Sequence, residues 1–416
     1  MKICFVASTY PRHETDGSAR FIRSMAEALN ELGHSVDVVI PYRADLHLAP
    51  GPIRVFPFRY IWPDRLAIMG YAEAMQSDQH LRGLAYVLAP AFALAEARQL
   101  ALLHRQSPYD IIHAHWVIPN GAIAALVASR IARPLIISLH GSDIFFARRH
   151  ALLGALARWT FSRASAVVSC SPELRAGAIA LGADPATLHL TPHGANPRLF
   201  NVAQSECMRL RAELGLQPDQ PVILSLGRLV KKKGIEYLIQ ALPDIVRSAP
   251  DAICLVAGNG SELGLLQQLA ADLGVSRHVR FLGAIPWPET PALYAAADIF
   301  VVPSIHDARG NVDGLPTTIL EAMAAGRPVV ASQIAGIELA VADGLHGLLT
   351  PERDAAALAH AILTLIQNGD LRHRLGENGR ERVRRELNWT TIARTLSEIY
   401  SASAARAMPQ GRRSPI

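Results

Sequence analysis

The first forty residues, MKICFVASTYPRHETDGSARFIRSMAEALNELGHSVDVVI (1–40), hold the pattern that decides the fold. MKICFVAS is a short apolar run that turns polar at once, so it predicts a β-strand over 2–8 and not a signal peptide. Phe21, Ile22, Met25, Leu29 and Leu32 then recur at helical spacing, which predicts a helix over 19–32 with one apolar face. Gly33 supplies its stop and 35–40 the next strand. Both strand runs are apolar throughout, with no in–out alternation, as expected when helices cover both faces of a parallel sheet. This start predicts a doubly wound α/β domain.

Outward from there the rhythm repeats. Strand-like runs at 54–59, 110–115, 134–140, 166–170 and 187–191 alternate with helical stretches. The pattern restarts at 221–226 and continues through 252–257, 278–283, 299–303, 328–332 and 347–350. A length of 416 residues suits two such domains. Between them lies TPHGANPRLFNVAQSE, rich in Pro, Gly and Asn, ahead of a polar helix near 205–215. The boundary is therefore expected near 195–200, giving a first domain over 1–197 and a second over 198–387. A last helical stretch, 388–404, is expected to fold back over the first domain, and 405–416 to be a disordered tail.

Half the residues are hydrophobic and 19% are charged, ample material for buried cores. The net charge of +5 fits nucleic acid, anionic lipid or phosphate-bearing substrates alike. It is not gathered into basic blocks with interleaved aromatics, which speaks against a nucleic-acid partner. Cys4, Cys170, Cys207 and Cys254 show no C-x-x-C spacing and read as buried free thiols in a reducing, cytoplasmic compartment. No continuous run of about twenty apolar residues predicts a membrane span. Segment 62–105 breaks the rhythm, with Trp62, Leu66, Ile68, Met69 and Tyr71 beside Arg65 and Arg82. It reads as a helical crossover packed on the sheet, with a membrane-surface or acceptor-docking role as the alternative.

Ligands of parallel α/β sheets bind beyond the carboxyl ends of the strands, so the polar residues just past each strand are the candidates. LGRL at 226–229, followed by KKKG at 231–234, ends the second domain's first strand. Gly227 permits a tight turn, and Arg228 and Lys233 put a guanidinium fork and an ammonium beside one loop. That pairing suits a diphosphate and can balance leaving-group charge without a metal. A solvated basic turn is the plainer reading.

In DGLPTTILEAM (313–323), Pro316, Thr317 and Thr318 mark a helix start, so N–H groups from Leu315 to Thr318 can hold phosphate oxygens. Glu321, about one turn in, can accept hydrogen bonds from ribose hydroxyls or simply complement the helix dipole. In SLHGSD (138–143), His140 can contact a sugar, and Asp143 can orient the loop or cap a helix starting near Phe145. A strand-end histidine is also a common structural residue.

Ser8–Pro11 residues STYP, with Asp16, Gly17 and Ser18, suit an acceptor or phosphate contact. His113 and His115 share one face of a strand, but no third ligand has sensible spacing, so they read as packing and cleft lining. There is no D-x-D motif for a catalytic divalent cation, and no G-x-G-x-x-G after the first strand for a dinucleotide. Gly258-Asn259-Gly260 says no more than a tight turn.

These pieces, in this order, resemble the retaining glycosyltransferase family 4. The likeness runs from the loop with Gly17 through HGSD (140–143), GRLVKKKG (227–234) and FLGAIPWPETPALYAAADIFVVPS (281–304) to DGLPTTILEAMAAGRPVVAS (313–332). It implies a GT-B fold, two Rossmann-like domains facing across a cleft whose closure excludes water. It implies retaining transfer from a nucleotide-diphosphate sugar to a glycan or lipid-linked acceptor, with no cofactor; the basic, apolar segment 62–105 adds an expected place in the cytoplasm at the inner face of the membrane.

By position, Arg228 and Lys233 resemble the donor diphosphate ligands, and Glu321 the ribose carboxylate of the family's E-x7-E motif. Asp313 stands where the first carboxylate of that motif is more often Glu. His140 resembles the histidine that touches the sugar, Leu282 lies in the stretch that resembles the base-binding loop, and Asp16-Gly17 stands where many members have Gly-Gly. Within the same architecture a sugar-nucleotide epimerase is the alternative, with His140 and Asp313 as an acid/base pair; a non-catalytic sugar-nucleotide-binding protein is another.

Overall fold

The computed structural model describes residues 1–407 except 49, 72, 74, 78 and 79. The chain forms two compact units, Met1–Thr191 with the chain from Trp389 onward, and Pro192–Asn388. The division falls a few residues ahead of 195–200, where Pro192 follows the last strand of the first unit.

In the first unit the strands are β1 (Lys2–Val6), β2 (Ser35–Pro41), β3 (Arg54–Phe58), a short antiparallel pair β4 (Met75–Ser77) and β5 (His80–Leu81), then β6 (Ile111–His115), β7 (Leu135–Leu139), β8 (Ala166–Ser169) and β9 (Leu188–Leu190). Seven of them make one parallel sheet in the order β3-β2-β1-β6-β7-β8-β9, in which Phe5 lies opposite Val38 on one side and His113 on the other. The predicted first helix is Arg20–Glu31; it buries Ile22, Met25 and Leu29, and Gly33 at φ 87° releases the chain into β2.

The closing helix, Trp389–Ala407, completes this unit. Its Ile392, Leu396, Ile399 and Tyr400 join Ile3, Phe5, Ile22 and Leu29 in one core cluster. Each such side chain contributes about 1.5–3 kcal/mol by leaving water, which is what brings the chain back after the second unit. Residues 405–407, expected as tail, continue this helix by one exposed turn past its last buried residue, Ser403; 408–416 lie outside the described residues.

Segment 62–105 resolves into the long helix Gly83–Gln106. It buries Leu88, Phe92, Leu100 and Leu103, with the Phe92 ring 5.2 Å from that of Phe58 at the end of β3. Contrary to the expectation from unbroken runs, this helix is long and apolar enough to cross a membrane by length and composition. Glu96 and Arg98 interrupt the apolar run without lowering its average enough to disqualify it. One side nonetheless belongs to the core of the first unit.

The second unit has β10 (Val222–Leu226), β11 (Ile253–Ala257), β12 (Val279–Gly283), β13 (Ile299–Val302), β14 (Val329–Ser332) and β15 (Gly347–Thr350), all parallel, in the order β12-β11-β10-β13-β14-β15. Ile223, Cys254, Val256, Ile299 and Val301 form its core with Leu238, Ile239 and Leu242 of the helix Ile235–Ser248. Each sheet reverses its strand order once, between β1 and β6 and between β10 and β13. Beyond the carboxyl ends of such strands an open α/β sheet leaves a crevice for ligands. All four cysteines are buried, and none forms a disulfide.

Candidate active site

At the reversal point of the second unit, β10 runs out at Leu226 and Gly227 donates its N–H to the Ala257 carbonyl at 2.9 Å. The neighbouring loop sits hard against it. Gly258 has φ 130°, and a Cβ there would lie 1.8 Å from the Gly227 carbonyl oxygen. The glycines after β11 are thus a packing requirement of the site, more than the tight turn read from sequence. Gly234 does the same on the other side: at φ 62°, its Cβ would lie 1.9 Å from the Pro303 carbonyl oxygen beyond β13. Between these contacts a cavity opens, lined by Gly227, Arg228, Lys233, Val302, Pro303 and Thr318 among others. It brings together the basic loop and the DGLP helix, 85 residues apart in sequence between Lys233 and Thr318.

Lys231–Lys233 form one 3₁₀ turn, whose threefold repeat sends three successive side chains in three directions. Lys231 pairs with Glu236 at 2.8 Å near the surface. Lys232 turns inward, is buried, and meets Asp313 Oδ1 at 2.9 Å. Lys233 reaches Asp313 Oδ2 from the cavity side. Burial alone would raise the Asp313 carboxyl; the ammonium groups of Lys232 and Lys233 overcome it and hold Asp313 well below the ordinary carboxylate range.

Sequence reasoning chose Lys233 and Arg228 and missed Lys232 as the anchor of Asp313. Three identical residues in a row carry no signal of which one faces in. Arg228 is exposed at the cavity.

Pro316 precedes the helix Thr317–Ala324, as expected from the Pro-Thr-Thr start. Its first-turn N–H groups have no acceptor within the helix. The Thr318 hydroxyl, facing the cavity, is buried without a hydrogen-bond partner, a feature that in a native fold calls for a ligand or water. Leu315 is buried.

One turn on, Glu321 accepts a hydrogen bond from the hydroxyl of Tyr294, a fully buried residue, at 2.8 Å. Burial pushes the Glu321 carboxyl up to about 7, against the opposing pull of that bond. Tyr294 was not legible as a site residue, since its aromatic ring sits among alanines that read as helix core. Leu282 is half-buried at the end of β12, and the adjacent Gly283 carbonyl accepts from Gly258 N–H at 2.7 Å, which ties that strand end to the loop beside Gly227.

In the first unit, Gly17 lies in a loop held by its neighbour. Asp16 accepts hydrogen bonds from Arg12 N at 3.0 Å, Arg12 Nε at 2.8 Å and Ser18 N at 2.9 Å. These bonds win over burial and bring its carboxyl down to about 2. The residue standing in place of a first glycine is therefore the clamp of the loop. His140 follows β7, its Nε2 2.9 Å from His115 Nδ1 and its ring stacked on that of His115 at 5.2 Å.

His113 and His115 are both fully buried, so neither lines a cleft. His113 uses one nitrogen on the Tyr400 hydroxyl at 2.6 Å and the other on Ser138 Oγ at 2.7 Å; burial brings it down to about 3, hence neutral. Asp143 lies in the first turn of the helix Ser142–Arg149, which begins earlier than Phe145. Its Oδ2 accepts from Val117 N–H at 2.7 Å, which orients the loop; burial raises its carboxyl to about 7 while backbone N–H donors pull the other way.

Two family models divide the chain between them: a glycosyl transferase 4-like domain matches residues 16–194 and the glycosyl transferases group 1 model matches 208–382. A GDP-mannose-dependent alpha-(1-6)-phosphatidylinositol monomannoside mannosyltransferase of Mycolicibacterium smegmatis is 34% identical over 285 residues, covering 68% of this chain and 74% of that protein. An uncharacterised glycosyltransferase of Methanocaldococcus jannaschii is 27% identical over 412 residues, 96% and 98% of the two chains. Among solved structures, Anabaena HepE in complex with UDP-glucose superposes with a TM-score of 0.72 at 22% identity, over 97% of this chain and 100% of that one. The chain belongs to the group 1, family 4-type glycosyltransferases of GT-B fold, and it is a sugar-transferring enzyme.

Proposed function

We propose that the enzyme transfers a sugar from a nucleoside diphosphate sugar to a glycan or lipid-linked acceptor, with retention of anomeric configuration and without a metal cofactor. The observation that carries this reading is the cavity between the ends of β10 and β13, where Arg228, Lys233 and the unpartnered Thr318 hydroxyl converge on one small volume. A diphosphate presents oxygens to all three: a fork from Arg228, a point charge from Lys233, a neutral donor from Thr318. As the bond between the anomeric carbon and the diphosphate oxygen breaks, negative charge grows on that oxygen, and the two cations stabilise it.

In this reading Glu321 and Leu282 serve the ribose and the base. Asp313 and His140 serve the transferred sugar. Gly17 lies on the acceptor side. The Mycolicibacterium relative, whose name specifies GDP-mannose and a phosphatidylinositol mannoside, supports a nucleotide-sugar donor and a lipid-linked acceptor. HepE with its UDP-glucose supports the same donor class. The four buried thiols support a place in the cytoplasm.

Calorimetric titration with UDP, GDP, ADP and the matching nucleosides, EDTA present, tests the donor site. One diphosphate is expected to bind far more tightly than its nucleoside; equal affinities across every pair would remove the diphosphate assignment. With an acceptor in hand, EDTA is expected to leave the transfer rate unchanged, and a loss restored by a divalent cation would overturn the metal-free reading. His140→Ala is expected to lower kcat roughly a hundredfold, the usual loss when one group serving the transition state goes. Diphosphate affinity should stay as it was, and full turnover would leave His140 a structural residue.

A further inference from the structure

The helix Gly83–Gln106 turns Leu88, Phe92, Glu96, Leu100 and Leu103 into the first unit. On the opposite stripe, where a helix on a soluble protein carries polar side chains, its first three turns carry none. Val87 is 74% exposed and Leu94 72%, with exposed Ala91 between them at the same helical spacing; Tyr86 and Leu84 flank them, 60% and 40% exposed. Ile61 and Tyr60 pack against Ala85 and Leu88, which carries Trp62, 80% exposed, to the same end of the helix. Single exposed apolar residues are ordinary; a contiguous patch with a polar rim marks a contact surface.

The rim is cationic. Arg98 and Arg105 continue the stripe occupied by Val87 and Leu94, and Arg65 and Arg82 stand near the helix start, all four exposed and without an ion pair among the described residues. The only acid from residue 79 to 109 is Glu96, which is buried. From this we infer that the outer face of this helix, with Trp62, docks the enzyme on the surface of an anionic lipid bilayer. Tyr and Trp suit the headgroup level, the aliphatic side chains the layer beneath, and the arginines the lipid phosphates.

With one side committed to the core, the helix lies on the membrane and does not cross it. A second copy of the chain is the poorer occupant. In a twofold contact the same patch meets itself, and here arginines would face arginines while Asp64, the carboxylate beside Arg65, is already held by Arg59 at 2.7 Å. The docking deepens the proposed function and rests on its lipid-linked acceptor for its purpose, but its test does not pass through transfer.

The full chain is floated with vesicles of phosphatidylcholine alone and of phosphatidylcholine with phosphatidylglycerol, at low and high salt. Binding is expected to the anionic vesicles and to weaken with salt. The double variant Val87→Glu, Leu94→Glu is expected to lose about tenfold or more of it. Leu265→Glu, at a leucine 67% exposed in the second unit, is expected to bind like wild type.

Both sites are open to solvent, so the variants should fold. An unchanged urea midpoint by tryptophan fluorescence verifies it for the double variant in the first unit, and unchanged diphosphate binding for Leu265→Glu in the second. Wild type that stays off anionic vesicles, or a double variant that floats as well as wild type, would overturn the inference. So would a wild-type dimer that the double variant dissolves while neither binds lipid. Flotation with no diphosphate binding would instead fault the donor reading and leave the surface standing.

Discussion

Lys233→Ala weakens nucleoside diphosphate binding by between roughly thirtyfold and a few thousandfold and leaves nucleoside binding nearly unchanged. Truncating one partner of a desolvated, hydrogen-bonded charge pair costs about 2–5 kcal/mol, and each 1.4 kcal/mol is about tenfold in affinity. Lys233 is suited to this test for a reason particular to the 3₁₀ turn. Its ammonium shares Asp313 with Lys232, so its removal still leaves that carboxylate paired inside the protein. Lys232→Ala would be the wrong variant for the purpose. Lys233 would still face Asp313, but a buried lysine side chain and its packing beneath the loop would be lost, confounding binding with folding.

Titration of wild type and Lys233→Ala with the three diphosphates, with the thermal midpoint as a check, distinguishes the cases. A variant that folds and binds the diphosphate as wild type does would take Lys233 out of the site. Arg228→Ala is expected to move in the same direction by a smaller step, since its exposed guanidinium works in a more water-like surrounding.

The architecture was readable in sequence because parallel strands covered on both faces write themselves as short apolar runs, and crossover helices as longer periodic ones. The strands named from 2–8 to 347–350 each correspond to a strand of the two parallel sheets. The candidate site was readable where a residue's chemistry and its place after a strand coincide, as at Gly227, Arg228 and Thr318, which line one cavity. It was not readable where function lies in a pairing between distant segments. Nothing around Lys232 says that it, and not Lys231, faces Asp313, 81 residues on. Tyr294 belongs to a run of alanines whose spacing speaks only of packing, and its bond to Glu321 exists because two helices meet in the fold. Asp16 looked like a defect in a glycine pair until its three hydrogen bonds appeared.

Glu96→Met is expected to stabilise the first unit at pH 9 by on the order of 4 kcal/mol, and by much less at pH 5. Glu96 is fully buried in the helix Gly83–Gln106, and neither carboxylate oxygen has a hydrogen-bond partner. Burial pushes its carboxyl from 4.5 up to about 8. The sign follows from which state holds the proton more tightly. Below about 4.5 the carboxyl is protonated both folded and unfolded, and no penalty exists. From there to about 8 the unfolded chain ionises freely while the folded one resists, so stability falls as pH rises; above 8 the full penalty stays. A thioether of similar length fills the site without a charge to desolvate.

Tryptophan fluorescence follows this unit in urea, since Trp62, Trp116, Trp159 and Trp389 lie in it and Trp287 alone in the other. The difference between variant and wild type isolates Glu96 from Asp143, whose raised carboxyl titrates in both proteins. A gap that widens between pH 5 and pH 9 is the expected result. A gap of constant size would mean that Glu96 is already ionised and partnered in the folded protein. Its helix would then owe its position on the sheet to a charge contact, and not solely to Leu88, Phe92 and Leu100.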